Sequence, residues 1–323
     1  MKKIYISFIV IGLLFCGCNV DDKTGDNDSN NTISTADYNN AQDDNTVIVD
    51  ENIFPDDYFR EYVSSHIDLD KNGELSEEEI NNATEIHMGY GEEYAETASL
   101  QGVEFFKNLK TLECFETNID KIDISNNTQL QKLDCGYTKI RELDVSDNAE
   151  LEELECNDTG ISVLDISNNK KLKKIACQRT NIEEIDFSNN QELEEIYVFN
   201  TNIANIDVTN LVKLDTLKCG DTNIDKIDVT NNVNLECLTV SNTEISSIDI
   251  MNNTELKILG IADCKKIDIL DKSNNTKLQE LQIKGTGIKK IDVSDCKDLI
   301  SIVCDRGMEI TGVPEDCRVY DYY

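Results

Sequence analysis

The sequence predicts a β-rich solenoid of about ten coils with a 21-residue period, preceded by a small α-helical cap. The first observation is a series of leucines that recur every 21 residues and resume after a single extra residue late in the series. Its members are Leu109, Leu130, Leu151, Leu172, Leu193, Leu214, Leu235, Leu256, Leu278 and Leu299. Because one short unit cannot cover its own apolar face, we expect successive units to stack and bury a continuous core.

The second observation is the pattern inside each unit, L-x-x-L-x-C-x-x-T-x-I-x-x-I-D-V-S-x-N-x-x, whose first leucine we number position 1. Alternation across positions 4 and 6, as in Leu133 and Cys135, predicts a short strand with both side chains pointing inward. A second apolar pair at positions 11 and 14, as in Ile140 and Leu143, is expected to close the coil on its other side. Asn-rich turns such as residues 125–127 are expected to end the unit, since Asn tolerates a left-handed backbone and bonds its own turn.

The recurring cysteine of position 6 raises the question of metal or redox chemistry. Position 6 is occupied by Cys114, Cys135, Cys156, Cys177, Cys219 and Cys304, and elsewhere by Val198, Val240, Ile261 and Ile283. Val and Ile neither bind metal nor react, so the position requires a small apolar group. A single column also lacks the paired spacing of a zinc site and the geometry of a good disulfide. We therefore predict buried, inert thiols. The state of the cysteines outside the column, Cys237, Cys264, Cys296 and Cys317, stays open.

Position 15 carries a column of carboxylates that allows two interpretations. Its members are Asp123, Asp144, Asp165, Asp186, Asp207, Asp228, Asp249 and Asp292. Stacked about 5 Å apart, neighbouring carboxylates repel by roughly 0.8 kcal/mol in water, so they must be exposed or held by backbone N–H groups. The column is either a cation-binding stripe or a set of Asx turn caps, and we favour the caps.

A calcium-loop signature precedes the repeats. The stretch DLDKNGELSEEE, residues 68–79, fits the EF-hand pattern D-x-[DN]-x-[DN]-G-x₅-E without a mismatch. The ligands that this spacing predicts are Asp68, Asp70 and Asn72 through their side chains, Glu74 through its carbonyl, Ser76 directly or through water, and Glu79 through both carboxylate oxygens. A single hand of this kind predicts a structural calcium site of the weak extracellular class. A compatible alternative is that the helix-loop-helix simply caps the first coil.

The amino-terminal residues have the composition of an export signal. Two lysines precede an apolar run over residues 4–15 and the sequence Cys16-Gly17-Cys18, which resembles a bacterial lipobox and implies acylation of Cys18. The Asp- and Asn-rich stretch that follows predicts a disordered tether. The predicted organisation is a signal peptide at 1–17, a lipidated tether at 18–50, an EF-hand-like cap at 51–104, the solenoid at 105–305 and a carboxyl-terminal cap at 306–323.

The ten agreeing repeats and the block before them resemble bacterial leucine-rich repeat surface proteins of the short-period type, which includes the internalins. The resemblance implies a location in the bacterial cell envelope, surface-exposed or periplasmic, with the membrane reached only through the lipid anchor. One departure is Thr at position 9, where that family usually has Asn or Cys. We therefore expect the Asn ladder of the family to be replaced by hydroxyl groups or to be weaker.

Composition narrows the function. The net charge of -34 argues against nucleic acid as a partner, because phosphate binding needs clustered Lys and Arg. Only two histidines exist, neither within a repeat, and no P-loop or nucleophile motif appears, so we predict a non-enzyme. We expect a monomer that binds a protein ligand through outward residues of the strand face, namely Phe115, Tyr137, Arg179, Tyr197 and Phe199. The alternatives are a calcium-stabilised structural envelope protein without a specific ligand, or a glycan-binding module that uses the same aromatic residues.

Overall fold

The computed structural model of the chain describes residues 46–89 and 93–322. It confirms the predicted β-rich solenoid, with a parallel strand in each coil and a small helical segment on its amino-terminal side. The predicted signal peptide, the lipidation site Cys18 and most of the predicted tether lie outside the described residues. None of the helices within the described ranges is long and apolar enough to cross a membrane.

Short elements account for all regular structure among the described residues. The helices are α1 (Asp57–Tyr62), which continues as a π-helical turn over Val63–Ile67, and α2 (Glu77–Asn82), with a 3₁₀ turn at Val103–Phe105. The strands are β1 (Val47–Ile48), β2 (Glu74–Leu75), β3 (Glu85–His87), β4 (Thr111–Glu113), β5 (Lys132–Asp134), β6 (Glu153–Glu155), β7 (Lys174–Ala176), β8 (Glu195–Tyr197), β9 (Thr216–Lys218), β10 (Cys237–Thr239), β11 (Ile258–Gly260), β12 (Glu280–Gln282), β13 (Lys290–Asp292), β14 (Ser301–Asp305), β15 (Glu309–Thr311) and β16 (Arg318–Tyr322).

The strands stack in chain order and in register. A 12-stranded parallel sheet runs from β3 through β12 to β14 and β16, while β1 pairs with β2 and β13 with β15. Leu133 of β5 pairs with Leu154 of β6, which is 21 residues later and occupies the same position of its coil. Every position of the repeat therefore forms a column along the rod.

The amino-terminal end of the core is closed by aromatic rings. Phe54 contacts Phe59 of α1 edge-on at 5.8 Å between ring centroids and stacks on Phe106 at 6.4 Å. All three side chains are fully buried. The backbone N–H of His87 in β3 donates to the hydroxyl of Tyr62 at 3.0 Å, which ties the helical segment to the sheet.

The thiol column is confirmed as an apolar filler. Every cysteine of position 6 is at most 2% exposed, and the Val and Ile residues that replace it are fully buried. These cysteines are all free thiols. Burial raises the pKa of Cys177 and Cys219 to about 12, so their reactive thiolate forms are scarce at neutral pH.

The second apolar pair is only partly as predicted. Position 11 is fully buried in the first seven coils, from Ile119 to Ile245, and Leu143 and Leu164 of position 14 are buried as well. Most isoleucines of position 14 are only half-buried, however, namely Ile122, Ile185, Ile206, Ile227 and Ile248. The side chain that seals the coil is at position 16, as with Val145, because the chain turns back inward after the aspartate of position 15.

The prediction that the Asn-rich turns hold the left-handed backbone is wrong. Positive φ angles fall at position 8 instead, at Glu116, Tyr137, Asp158, Arg179, Asn200, Asp221, Asn242 and Asp263, with Gly285 in the ninth coil. The next residue, the Thr of position 9, donates its hydroxyl to the carbonyl three residues earlier, at 2.7 Å from Thr138 to Cys135. The left-handed residue of position 8 and the Thr hydroxyl of position 9 together form the corner that follows the strand in each coil.

The expectation that hydroxyl groups replace the Asn ladder at position 9 is confirmed by these Thr hydrogen bonds, but a separate Asn ladder at another corner was not predicted from the sequence. The asparagines of position 19 are fully buried at Asn127, Asn148, Asn169, Asn190, Asn232, Asn253 and Asn275. Each side-chain amide donates to two main-chain carbonyls of the preceding coil, as with Asn169 to Val145 and Asn148, both at 2.9 Å. Leu211 and Cys296 interrupt the series. The ladder thus joins coils, whereas the Thr hydroxyls bond within one coil.

Candidate functional site

The acidic loop brings three predicted ligands together. Carboxylate oxygens of Asp68, Asp70 and Glu79 all lie within 4.8 Å of one another. Asp68 is 2% exposed and Glu79 is 9% exposed. Among the described residues none of the three takes part in an ion pair. Asp70 is exposed, so a cation could reach the two buried carboxylates from its side, and their mutual repulsion would favour its binding.

Local chemistry folds the loop. Lys71 and Gly73 take left-handed conformations, with φ of 58° and 83°, so the chain reverses tightly. Asp68 accepts the backbone N–H groups of Asn72 at 3.2 Å and Gly73 at 2.9 Å. The fully buried Leu75 anchors the far side of the loop in β2.

The last predicted ligand is held by three hydrogen bonds. Glu79 accepts from the backbone N–H of Leu69 at 2.8 Å, the backbone N–H of Ser76 at 2.9 Å and the hydroxyl of Ser76 at 2.8 Å. The bonds from Ser76 outweigh burial and lower the pKa of Glu79, which keeps it ionised. In return Ser76 caps the amino end of α2, a capping box.

Two other predicted ligands, Asn72 and Glu74, form hydrogen bonds with neighbouring residues. The side-chain oxygen of Asn72 accepts the N–H of Glu74 at 2.7 Å, and its amide donates to Asp70 at 3.0 Å. Glu74 itself lies in β2, paired with Ile48. Among the His, Cys, Asp and Glu side chains of the described residues, the donors that converge here are all carboxylates, a set that suits a hard cation such as calcium and not a soft metal.

The strand face carries a continuous aromatic and cationic ridge. Phe115 meets Tyr137 edge-on at 5.0 Å between ring centroids. Arg179 donates to the Tyr137 hydroxyl at 3.4 Å and lies over the ring of Phe199 at 5.4 Å. It also pairs with Asp158 at 3.1 Å. We call Phe115, Tyr137, Arg179 and Phe199 the ridge; it crosses the first five coils.

The fifth predicted residue belongs to a neighbouring group. Lys218 lies 5.3 Å and Lys174 lies 6.0 Å from the centroid of the Tyr197 ring. The Tyr197 hydroxyl donates to Glu195 at 2.7 Å, and burial is the main reason that its pKa is raised. Tyr197 is thus sandwiched between cations beside the ridge.

Backbone strain coincides with the ridge. Tyr137 and Arg179 hold φ angles of 53° and 55°, a left-handed region that L-residues other than Asn, Asp and Gly avoid. Five of the other coils have Asn or Asp at this position, and the ninth has Gly285. Apart from these two, only Glu116 departs from the favoured types. Large side chains therefore occupy three sites of the column where the backbone disfavours them, and two of these, Tyr137 and Arg179, belong to the ridge.

Sequence reasoning missed one titratable residue near the ridge. Asp134 points outward from β5 but is only 3% exposed, and burial raises its pKa to about 6. The adjacent Glu155 and Glu113 raise it further. The signal in the sequence was an acid at position 5 in three successive coils, Glu113, Asp134 and Glu155.

The carboxylate column of position 15 consists of turn caps, as favoured from the sequence. Each aspartate accepts the backbone N–H two residues ahead, for example Asp144 from Ser146 at 2.9 Å and Asp228 from Thr230 at 3.0 Å. These bonds hold the pKa of Asp144 and Asp228 below the usual value. Asp271 joins the column in the coil that carries the extra residue.

The solved structures to which this chain is similar include three from bacteria. An internalin, InlF, from Listeria monocytogenes is 19% identical over 84% of this chain and 97% of its own, with a TM-score of 0.62. A leucine-rich repeat protein from Leptospira interrogans is 18% identical over 68% of this chain and 62% of its own, with a TM-score of 0.61. The functional domain of InlJ from Listeria monocytogenes is 23% identical over 80% and 76%, with a TM-score of 0.43. No protein-family model and no curated protein matches the chain. The similarity shows the leucine-rich repeat fold.

Proposed function

We propose that the chain is a binding protein that engages a protein partner through the ridge. The observation that carries the proposal is the left-handed backbone of Tyr137 and Arg179. An Asn at either position would relieve about 1 kcal/mol of strain, yet both positions keep side chains that build the ridge. Strain retained at a surface site points to a role in binding and not in folding.

The chemistry of the ridge suits a protein interface. Aromatic rings and Arg are the side chains that most often anchor protein complexes. Arg179 is held between Tyr137 and Phe199, so it loses little freedom on binding. With coils about 4.8 Å apart, the ridge spans roughly 20 Å, enough for a compact anchor patch. No catalytic role is assigned to any residue.

Calcium binding at the acidic loop is the second part of the proposal. Asp68, Asp70 and Glu79 would hold the ion, and it would neutralise their mutual repulsion. Since the loop lies between α1 and α2, calcium would stabilise the amino-terminal end of the rod. We further propose that acylated Cys18 anchors the protein in the bacterial envelope.

The ridge is tested with the double variant Tyr137→Asn/Arg179→Asn. Asn favours the left-handed backbone, so the relieved strain offsets the lost side-chain contacts and the fold is kept. The matched control, Asp221→Asn/Asp263→Asn, changes two left-handed residues of the same column outside the ridge. Immobilised protein without its signal peptide captures envelope or host surface proteins, which are identified by mass spectrometry. We expect the control to retain, and the ridge variant to lose, at least one captured protein.

If the ridge variant and its control capture the same proteins, the proposal that the ridge binds a partner is refuted. Capture of nothing, together with a melting temperature that depends on calcium, would favour the calcium-stabilised structural protein instead.

Calcium is tested by thermal unfolding of Glu79→Gln and Glu78→Gln. Gln preserves the capping box at position 79, while Glu78 is exposed and is not a predicted ligand. For a site of the weak extracellular class, 10 mM calcium should add about 1.5 to 3 kcal/mol to the unfolding free energy. We expect that gain in the wild type and in Glu78→Gln and its loss in Glu79→Gln. An equal gain in all three would place the bound calcium elsewhere.

A further inference from the structure

A second surface lies away from the strand face. An open groove of about 880 Å³ crosses the third to sixth coils, and its lining comes from positions 12–17, with no strand residue. Its floor contains Ile185, Ile206 and Ile227, the half-buried isoleucines of position 14. Val163 lies at one end and is 76% exposed. Aliphatic side chains of four successive coils therefore lie side by side along the groove.

The wall of the groove is acidic, and few cations compensate its negative charge. The aspartates of position 15 from Asp165 to Asp228 line it, together with Glu184, against the single cation Lys226. In the described ranges, lysines pair mainly with glutamates, as Lys171 does with Glu150, and no ion pair includes this aspartate column. The Asx bonds lower the pKa of Asp165, Asp207 and Asp228, so these wall residues are ionised at neutral pH.

We propose that this groove docks a basic amphipathic helix of a partner protein. Lys or Arg side chains of the helix would face the aspartate wall, and its aliphatic face would cover the isoleucine floor. The floor argues against a simple cation as ligand, because a metal ion gains nothing from apolar surface. The wall argues against an apolar or acidic segment, because the carboxylates would lose hydration or repel it.

The repeat distance selects a helix over a strand. Adjacent coils are about 4.8 Å apart, and one helical turn rises 5.4 Å, so across four coils the two repeats drift by only about 2 Å. Two residues of an extended strand advance about 6.8 Å and leave register after one coil. A helix along the rod can therefore offer one basic residue to each coil. The groove and the ridge draw on different positions of the repeat, so the two proposals stand separately.

The test uses a fluorescein-labelled 18-residue peptide of Leu and Lys whose leucines follow the helical period. Its binding to the protein without the signal peptide is measured by fluorescence anisotropy at 0.15 M salt, where long-range attraction is screened. The groove variant is Asp165→Asn/Asp186→Asn/Asp207→Asn, since Asn can keep the turn cap. The control, Asp249→Asn/Asp271→Asn/Asp292→Asn, makes the same charge change in the same column outside the groove.

We expect the groove variant to weaken peptide binding at least tenfold and the control to stay within twofold of the wild type. A peptide of the same composition in scrambled order should bind at least tenfold more weakly than the helical one. Equal losses in both triple variants, or equal binding of the scrambled peptide, would mean unspecific charge attraction and overturn the proposal. Binding should be unchanged in Tyr137→Asn/Arg179→Asn, so that failure of the ridge and failure of the groove are distinguishable.

Discussion

The side-chain amide of Asn148 donates to the main-chain carbonyl of Asn127, 21 residues earlier, at 3.0 Å. A second bond, also 3.0 Å, goes to the carbonyl of Ile124. Both acceptors belong to the preceding coil, and the amide is fully buried. Each carbonyl already accepts a backbone N–H of its own turn, so the Asn148 amide adds a second bond that comes from the next coil. Position 19 is therefore a structural link between coils.

We expect Asn148→Ala to lower the free energy of unfolding by about 1 to 3 kcal/mol, because it removes two buried hydrogen bonds between coils. The control is Asn168→Ala, which removes one exposed bond, to Ser146, and should cost less than about 1 kcal/mol. Chemical denaturation followed by circular dichroism measures both. Similar losses in the two variants would show that the buried ladder does not stabilise the rod.

Relief of left-handed strain should stabilise the protein where no contact is lost. Glu116 holds a φ of 61°, and we expect Glu116→Asn to raise the unfolding free energy by about 0.5 to 1 kcal/mol. Glu142→Asn makes the same chemical change at an exposed residue with ordinary φ and should stay within about 0.5 kcal/mol of wild type. A gain in Glu142→Asn that equals the gain in Glu116→Asn would point to relief of charge repulsion and not of strain.

The buried carboxyl of Asp134 should make stability depend on pH. Its folded pKa is about 6, above the unfolded value of 3.8, so the folded state holds the proton longer. Stability is therefore lost as pH rises from about 4 to 6, by roughly 2 to 3 kcal/mol. We expect Asp134→Asn to gain about that amount at pH 7.5 and little at pH 4. Denaturant unfolding across this range measures it.

Asp144 should change the pH dependence of stability in the opposite direction, because the hydrogen bonds to Ser146 lower its pKa in the folded state. Asp144→Asn should lose stability at pH 7.5 and lose less as the pH falls below about 4.

For Asp134, a stability gain of Asp134→Asn that does not change with pH would mean that the Asp134 carboxyl is not protonated in the folded state.

The thiol column should tolerate an apolar residue and reject a polar one. Val198 and Val240 already fill the same position, so Cys156→Val should change the unfolding free energy by less than about 1 kcal/mol. Cys156→Ser places a hydroxyl in the same apolar column and should cost about 1 to 3 kcal/mol. Equal effects of Val and Ser would show that the column does not select for apolarity.

Periodicity was enough to predict the core columns, because the same side chain recurs every 21 residues and a buried column requires that regularity. Periodicity alone did not predict the column of left-handed residues at position 8. Position 8 carries Asn, Asp or Gly in six of the nine coils with a left-handed residue there, but Glu116, Tyr137 and Arg179 obscure that pattern in the first four coils. What defines it is the hydroxyl bond that follows, such as that of Thr138, which is a property of the folded corner.

The turn asparagines and the acidic loop show a second limit. Asn127 was assigned to its own turn, whereas its amide donates to the carbonyls of Val103 and Phe106, and only stacking brings them together. In the loop the spacing correctly placed Asp68, Asp70 and Glu79 side by side. The spacing could not decide whether Ser76 binds calcium or caps α2, because both roles use the same hydroxyl.

In-register stacking also makes the coils interchangeable parts. Excision of residues 193–213 would remove one whole unit together with Leu211, the interruption of the ladder. Asn232 would then follow Asn190 directly and could donate to its carbonyl. The shortened rod would lose about 4.8 Å of length and keep matching surfaces on both sides of the cut. Length in this architecture is therefore adjustable in whole steps, by deletion or duplication, without a new fold.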